Sequence, residues 1–352
     1  MHSTSTYSLR EFSSVRNELF GLSILSIMLL HYFQDVKELG STMLLRSLAD
    51  VYGWWIGAVG VDIFLFLSGM GLYYSMMRDP DVGHFYQKRF IRILPSYLIV
   101  GAVFWGIRAA ITGGAFTSWW KNLFFVTFFT QGRVTLWFIF FILVMYLIYP
   151  LVHALLNSTE SDIRRTIRFL VLAAFFIVLS FWGLAHWGKD AKSQDIVIGR
   201  IPVFLLGAYL GKYIMEGKSL NRRLAAILFT LFCAAGIVLR YYDSAALVRR
   251  YLDIFLTLGY IGLSTMFIGL QEQESWNRRF LRLCGSYSLE LYLTHVCVRN
   301  LAKAKDYPTN HYWVYAIVIL ISVVLSIPLH ALGSRLSRKI NPPKTKPVSH
   351  AG

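Results

Sequence analysis

Residues 134–156 read VTLWFIFFILVMYLIYPLVHALL and contain no Asp, Glu, Lys or Arg. A helix of this length extends about 34 Å, since each residue adds about 1.5 Å. It can therefore cross the hydrocarbon core of a bilayer, which is roughly 30 Å thick. Comparable runs lie at about 18–34, 51–77, 92–111, 167–187, 197–215, 223–241, 251–270, 286–303 and 312–333. We predict an all-α polytopic membrane protein with about ten transmembrane helices.

The composition supports this fold class. Of the 352 residues, 56% are hydrophobic and 15% are charged, whereas soluble domains usually carry roughly a quarter charged residues. The period-two alternation of a membrane β-barrel is absent, so helices are expected. The net charge of +16 is split between apolar runs and forms no continuous basic stripe, so we expect no nucleic-acid partner. Cys233, Cys284 and Cys297 form no CxxC pair, which indicates neither a disulfide framework nor a metal site.

Lys and Arg residues predict the orientation. Segments that face the cytoplasm when the N-terminus is inside hold 21 of the 35 Lys and Arg residues, and such an excess marks the cytoplasmic side. Both termini are therefore expected in the cytoplasm. We predict a cytoplasmic segment at 1–17, a transmembrane domain at 18–333 with a retained first helix, and a basic tail at 334–352. The apolar stretch 119–129 is too short to span and suits an interfacial or re-entrant segment.

Of the ionisable residues inside predicted spans, three stand out as functional candidates: His31, Asp62 and His295. Such residues cost at least a few kcal/mol in lipid and are candidate functional groups by default. A neutral imidazole can accept a proton from a hydroxyl, and a nearby carboxylate would orient it and stabilise the imidazolium. Each also has a purely structural interpretation. His31 and Asp62 could simply make a hydrogen bond between helices, and Tyr292 or Thr294 could satisfy His295 locally.

A second group of residues consists of cations and aromatics at the predicted ends of helices. Arg89 and Arg92, with Lys88 beside them, share one helix face at the cytoplasmic end of the third span. Guanidinium groups match phosphate oxygens in pairs, although such residues also anchor helices to lipid headgroups. Trp137 could stack on a sugar ring or belong to an interfacial aromatic belt. Arg200 could orient a substrate or extend to the interface.

Taken in order, these segments resemble the acyltransferase-3 family, bacterial membrane-bound O-acyltransferases of surface polysaccharides. The resemblance covers nearly the whole chain. Its pieces are a first helix that ends in His31, Gly60-Val61-Asp62-x-Phe64-x-x-x-Ser68-Gly69, Arg89-x-x-Arg92-x-x-Pro95, Leu136-Trp137-Phe138 with Tyr146 and Pro150, Arg200-x-x-x-Phe204-x-x-Gly207, and Ser288-x-x-x-Tyr292-Leu293-x-His295.

The resemblance implies ten spans, no metal, and an acyl-CoA donor that enters from the cytoplasm. It implies that His31 is catalytic and that Arg89 and Arg92 bind the donor, and we expect Asp62 to support His31. One feature departs from the family pattern. Members usually carry an Arg or Lys about ten residues before the helix-one histidine, where this chain has Phe20-Gly21-Leu22. Either Arg16 or Arg200 substitutes for it, or the role is unfilled.

The sequence therefore predicts an O-acyltransferase of the bacterial cytoplasmic membrane. The acyl group, acetyl in the simplest case, would pass from acyl-CoA to a hydroxyl of a cell-surface or lipid-linked carbohydrate. Trp137, Arg200, Tyr292 and His295 are expected to shape the acceptor side, and polysaccharide-synthesis proteins are possible partners. Two alternatives stay open. A transporter or flippase would use the same buried charges for coupling, although no pair of related halves is visible, and a non-catalytic scaffold would use none of them.

Overall fold

The computed structural model describes residues 6–53, 59–114, 116–158, 161–186, 196–242 and 246–340. Within them the chain is almost entirely helical. The strands are β1 Thr6–Ser8 and β2 Ser219–Asn221, and the helices are α1 Arg10–Ser14, α2 Arg16–Leu39, α3 Met43–Tyr52, α4 Val59–Arg78, α5 Val82–Thr112, α6 Phe116–Leu123, α7 Val126–Gln131, α8 Trp137–Asn157, α9 Asp162–His186, α10 Ile201–Glu216, α11 Arg222–Tyr242, α12 Ala246–Gly269, α13 Trp276–Ser286, α14 Ser288–Ala304 and α15 Tyr312–Ile340.

The predicted fold class is confirmed. In the described part of the chain, nine helices are long and apolar enough to cross a membrane: α2, α4, α5, α8, α9, α10 with the turn before it, α11, α12 and α15. The tenth predicted span, 286–303, corresponds to α14. This helix has only 17 residues and carries buried polar side chains, because it packs inside the bundle and faces other helices.

Several boundaries differ from the predicted ones. The second span begins at Val59 and not at 51, because 43–52 forms the separate helix α3. The apolar stretch 119–129 forms the two short helices α6 and α7, which are joined through Phe125 in the left-handed conformation (φ 59°). The last helix continues to Ile340, past the predicted start of the tail at 334. Residues 341–352 of that tail, like 1–5 of the N-terminal segment, lie outside the described residues.

Helices α2 and α13 pack with their backbones in direct contact. The contact depends on Gly21 and Gly285, because a Cβ atom on Gly21 would overlap the carbonyl of Leu281. A Cβ atom on Gly285 would likewise overlap the carbonyl of Asn17. Only glycine permits an approach this close. The crossing fixes the position of helix one against the chain that continues into α14.

Ion pairs also join α2 to α13 and α14, and they connect residues at a constant separation in sequence. Glu18 pairs with Arg282 (3.4 Å) near the start of α2, and Asp35 pairs with Arg299 (2.6 Å) near its end. Both pairs are separated by 264 residues in sequence. Helix α2 therefore runs parallel to the α13–α14 segment. The register predicts that residue 31 faces residue 295, which decides the geometry of the site.

A second close contact joins α4 and α10, the two spans buried most completely in the bundle. A Cβ atom on Gly69 would overlap the carbonyl of Phe204, and one on Gly207 would overlap the carbonyl of Phe66. The small residues of the 68–71 segment thus serve helix packing. By contrast, most of α9 is exposed on the outside of the bundle, where its Leu and Phe side chains suit contact with lipid.

The segments predicted to face the cytoplasm meet at one end of the bundle. Strand β1 pairs antiparallel with β2, so the N-terminus lies beside the connection between α10 and α11. Asp162, at the start of α9, accepts hydrogen bonds from Lys212 (2.7 Å) and Lys218 (3.5 Å). We call this end the inner end. The opposite end, where Asn310 donates to the carbonyl of Gly40 (2.6 Å), is the outer end.

Candidate functional site

A cavity of about 1350 Å³ lies inside the bundle between α2, α4, α5, α8 and α14. Helix α2 gives its length. Arg16 and His31 both line the cavity and lie 15 residues apart on one helix, so it extends about 22 Å along the bundle. Arg16 belongs to the inner end and His31 to the outer half. One continuous space thus connects the predicted donor residues with the predicted catalytic histidine.

The inner end of the cavity is strongly cationic. Lys88, Arg89 and Arg92 line it, as do Arg16 and Arg78. Helix α5 presents the first three from consecutive turns, and Asp81 caps this helix by accepting a hydrogen bond from the backbone of residue 84 (2.5 Å). The three residues predicted to bind the donor therefore line the same end of one cavity.

These cations differ in how strongly the protein already neutralises them. Arg92 contacts the buried Glu290 at 3.4 Å, and Lys88 donates to Asp79 at 2.8 Å. The guanidinium of Arg89 lies over the Phe85 ring at 5.7 Å, and its Nε has no hydrogen-bond partner among the described residues. Of these three cations, Arg89 is thus the one that makes no ion pair with a described residue.

Asp79 lies in the short connection between α4 and α5. The hydrogen bond from Lys88 lowers the pKa of this carboxyl below its ordinary value. His84 also contacts Asp79, at 2.6 Å. The carboxylate is therefore charged at neutral pH and is the counter-ion of Lys88 at the rim of the cavity.

Arg16 is the Arg or Lys of helix one that lies nearest in sequence to the position of the missing cation. Its guanidinium packs against Gly71, where a Cβ atom would overlap it, and lies 4.8 Å from the centre of the Phe20 ring. Its Nε has no partner in the described part of the chain. Of the two predicted substitutes, Arg16 lines the cavity and Arg200 does not.

At the other end of the cavity, His31 stacks on His295. The ring centroids are 5.3 Å apart and the planes are inclined by only 10°. His295 is completely buried and its Nε2 lies 3.1 Å from the hydroxyl of Tyr315. Nδ1 of His31 and Nδ1 of His295 are both buried and have no hydrogen-bond partner among the described residues. Because His31 lines the cavity and His295 does not, His31 is the imidazole that faces the cavity, and His295 supports it from behind.

The predicted pairing of His31 with Asp62 is not what the structure contains. Asp62 is in the first turn of α4 and accepts a hydrogen bond from Arg200 Nε at 2.9 Å. It is buried and does not line the cavity. His31 and Asp62 lie at comparable depths along their helices, but depth does not show which neighbouring helix the Asp62 side chain faces. Asp62 is therefore the partner of Arg200, and the structure does not support a role for it as the carboxylate that orients His31.

The remaining predicted residues divide into two groups. Trp137 and Tyr292 line the cavity, and Phe138 contacts Tyr292 edge to face at 5.3 Å. Arg200 lies over the Trp137 ring at 5.2 Å and so supports it from outside the cavity. Asp62, through Arg200, belongs to the same supporting layer.

Sequence reasoning missed several lining residues: Gln34, Arg78, His84, Arg299 and Asn300. Helix periodicity alone could have found one of them, because Arg299 lies one turn after His295. The described residues hold no group of three or more His, Cys, Asp or Glu side chains placed to bind a metal ion. The three cysteines are free thiols.

Comparison with known proteins adds a family. The acyltransferase-3 family model, described as an acyltransferase domain, matches residues 21–331. No curated protein and no solved structure matches the chain. The match covers all the residues that line the cavity except Arg16, Asn17, Phe20 and Ser337. The chain thus belongs to the acyltransferase-3 family and is a multi-pass membrane acyltransferase that transfers groups other than amino-acyl groups.

Proposed function

We propose that the protein transfers an acyl group, acetyl in the simplest case, from acyl-CoA to a hydroxyl of a cell-surface or lipid-linked carbohydrate. One observation carries the proposal: His31 and the pair Arg89 and Arg92 line the same cavity. A donor with an anionic head and a reactive thioester at the end of a long arm suits such a space. The location follows from this chemistry, with donor on the cytoplasmic side of a bacterial cytoplasmic membrane and glycan on the other side.

Charge supports a phosphate-bearing donor at the inner end. Five of the described residues that line this end are Arg or Lys, and one is Asp. Arginine binds phosphate with two parallel hydrogen bonds, and these are stronger when both partners are charged. The guanidinium groups of Arg89 and Arg16 lie over aromatic rings and make no ion pair with a described residue. Coenzyme A would bring its phosphates to these groups, and Arg92 could exchange its long contact with Glu290 for one of them.

The middle of the cavity suits the pantetheine arm and acyl chain. Phe20, Phe64, Ile93, Phe138 and Ile142 line it. Apolar walls exclude water from the thioester and so favour transfer over hydrolysis. Because the arm is narrow and extended, it can bring the thioester carbon to His31 while the nucleotide stays at the inner end.

His31 supplies the acid–base chemistry. Its imidazole accepts the proton of the acceptor hydroxyl as the oxygen attacks the thioester carbonyl and the C–O bond forms. Collapse of the tetrahedral intermediate breaks the C–S bond, and the imidazolium returns the proton to the sulfur of CoA. In the variant with two transfers, His31 first carries the acyl group itself and the hydroxyl then attacks acyl-histidine.

The acceptor would approach from the outer end. Trp137, Gln34 and Asn300 line the cavity beyond His31. An indole face offers a stacking surface for a sugar ring, and the side-chain amides can both donate to and accept from hydroxyl groups. Proteins that assemble the polysaccharide are the expected neighbours, since they would deliver the acceptor to this side.

Labelled donor tests the proposal directly. Membrane vesicles from source cells that lack the native gene and express the full chain would receive acetyl-CoA labelled in the acetyl group. We expect label in the glycan fraction and release of CoA thiol, neither of which occurs in vesicles without the protein. Glycan uptake without any label transfer would contradict the proposal and would indicate a transporter. If label is transferred, mass spectrometry of surface glycans from the deletion strain would identify the acceptor.

A further inference from the structure

Arg299 lines the cavity in a fixed orientation. Its Nε donates to Asp35 Oδ2 at 2.8 Å and its Nη2 to Asp35 Oδ1 at 2.6 Å. Asp35 is fully buried and also accepts from Lys303 at 3.0 Å. Lys303 in turn contacts Glu38. Two cations and two carboxylates thus balance each other, and the guanidinium is held by two parallel hydrogen bonds.

One nitrogen of this guanidinium takes no part in the pair. No described residue accepts a hydrogen bond from Arg299 Nη1, although Nη1 is not among the buried atoms that lack a partner. An atom that is neither bonded nor sealed off faces open space, and the space beside Arg299 is the cavity. A preorganised donor of this kind binds negative charge without reorganising at the moment of reaction.

The helix register places this donor next to the stacked histidines. Asp35 lies four residues after His31 and Arg299 lies four residues after His295, so the ion pair repeats the stack one turn further out. One turn corresponds to about 5.4 Å along the axis. The attacking oxygen and the carbonyl oxygen of a tetrahedral intermediate are bonded to one carbon. If each lies about 2.8 Å from its hydrogen-bond partner, the two partners can be separated by this distance. His31 and Arg299 can therefore contact the two oxygens of a single tetrahedral carbon.

We propose that Arg299 is a catalytic residue that binds the oxyanion of the tetrahedral intermediate, and that Asp35 is the residue that positions it. The inference rests on the proposed acyl transfer. As the acceptor oxygen bonds to the thioester carbon, the electron pair of the C=O bond moves to the carbonyl oxygen, and Arg299 Nη1 donates to it. His31 takes the hydroxyl proton on the other side. The electron pair returns to the C=O bond when the C–S bond breaks. The His31 imidazolium gives its proton to the sulfur, so CoA leaves as the thiol.

The test separates catalysis from a merely structural ion pair. Vesicles as above, with labelled acetyl-CoA and their endogenous glycan, would carry wild type, Arg299→Gln, Arg299→Lys, or the exchange Asp35→Arg with Arg299→Asp. Rates would be normalised to folded protein, measured by its Tm and elution in detergent. We expect Arg299→Gln to lower kcat about 100-fold or more, as loss of an oxyanion donor does, with the KM for acetyl-CoA within about threefold of wild type.

The exchange variant is decisive because it keeps an ion pair but moves the guanidinium to the other helix. We expect a Tm near wild type and kcat as low as in Arg299→Gln, with Arg299→Lys between the two. Recovery of wild-type kcat in the exchange variant, or wild-type kcat in Arg299→Gln or Arg299→Lys, would overturn the inference. If instead wild-type protein transfers no label at all, the proposed function itself fails, which distinguishes the two failures.

Discussion

The imidazole rings of His31 and His295 stack face to face, with centroids 5.3 Å apart and planes 10° from parallel. The hydroxyl of Tyr315 connects this stack to helix one, because it lies 2.5 Å from the carbonyl oxygen of Met28 and 3.1 Å from His295 Nε2. A hydroxyl has one hydrogen to donate. When Tyr315 donates to Met28, His295 must donate from Nε2, which fixes its tautomer. The ring behind His31 is therefore held in place from the far side.

We predict that His295→Ala lowers the rate of acetyl transfer about 10-fold, less than loss of His31, because the reacting imidazole loses its support and is oriented less well. His295→Phe, which keeps a ring in the stack, should recover part of the rate. Transfer of labelled acetyl groups in membrane vesicles measures both. His311→Ala, at an exposed histidine outside the cavity, is the matched control. Equal rates in His295→Ala and the control would show that the stack has no role.

The donor site should respond differently to substitution. We predict that Arg89→Gln raises the KM for acetyl-CoA about 10-fold with kcat nearly unchanged, since a contact to the nucleotide end is equally strong before and during the chemical step. Initial rates over a range of acetyl-CoA concentrations give both constants. Arg164→Gln, at an exposed arginine of α9 that does not line the cavity, should leave them at wild-type values. A fall in kcat at constant KM would contradict donor binding at Arg89.

Asp62 should behave as a partner of Arg200. We predict that Asp62→Ala lowers the free energy of unfolding by about 3 kcal/mol, because removal of one member of a buried ion pair leaves the other charge uncompensated. The double variant Asp62→Leu with Arg200→Met should recover most of this loss. Unfolding in detergent measures both effects. The interpretation would be wrong if Asp62→Asn abolished transfer as completely as a His31 variant while the Tm stayed at the wild-type value.

The contact between α2 and α13 predicts a steric effect on stability. Gly285→Ala should lower the free energy of unfolding by about 2 kcal/mol or more, because the new methyl group overlaps the carbonyl of Asn17 and overpacking costs about 1–3 kcal/mol. Gly53→Ala is the matched control, since nothing described lies within 4 Å of a Cβ atom there. Similar Tm values for the two variants would show that the helices separate without cost.

Much of the fold could be predicted from local sequence. Apolar runs of about 20 residues identify spans because lipid satisfies no backbone hydrogen bonds. The same rule identifies α14 less clearly, because this helix is short and carries Glu290, Thr294 and His295. These side chains are buried against other helices and not against lipid. The separate helix α3 was not predicted either, because hydropathy does not show which neighbouring apolar residues belong to the same helix.

The candidate site could be predicted in its members more than in its pairings. Residue type and depth brought Arg89 and Arg92 into one group and identified His31 as exceptional, and all three line the cavity. Which side chains touch depends on helix rotation and register. That information is absent from a single span, so Asp62 was assigned to His31 and not to Arg200. The parallel register of α2 and α14, which places His295 and Arg299 beside helix one, becomes visible only when both helices are packed together.

The central claim is that His31 performs the chemistry of a donor held at the other end of its cavity. The most direct test measures two quantities on purified His31→Ala protein: the Kd for acetyl-CoA and the rate at which the labelled acetyl group reaches glycan in vesicles. We predict a wild-type Kd and a transfer rate at least about 100-fold lower, as loss of a general base requires. A wild-type transfer rate in this variant would contradict the account.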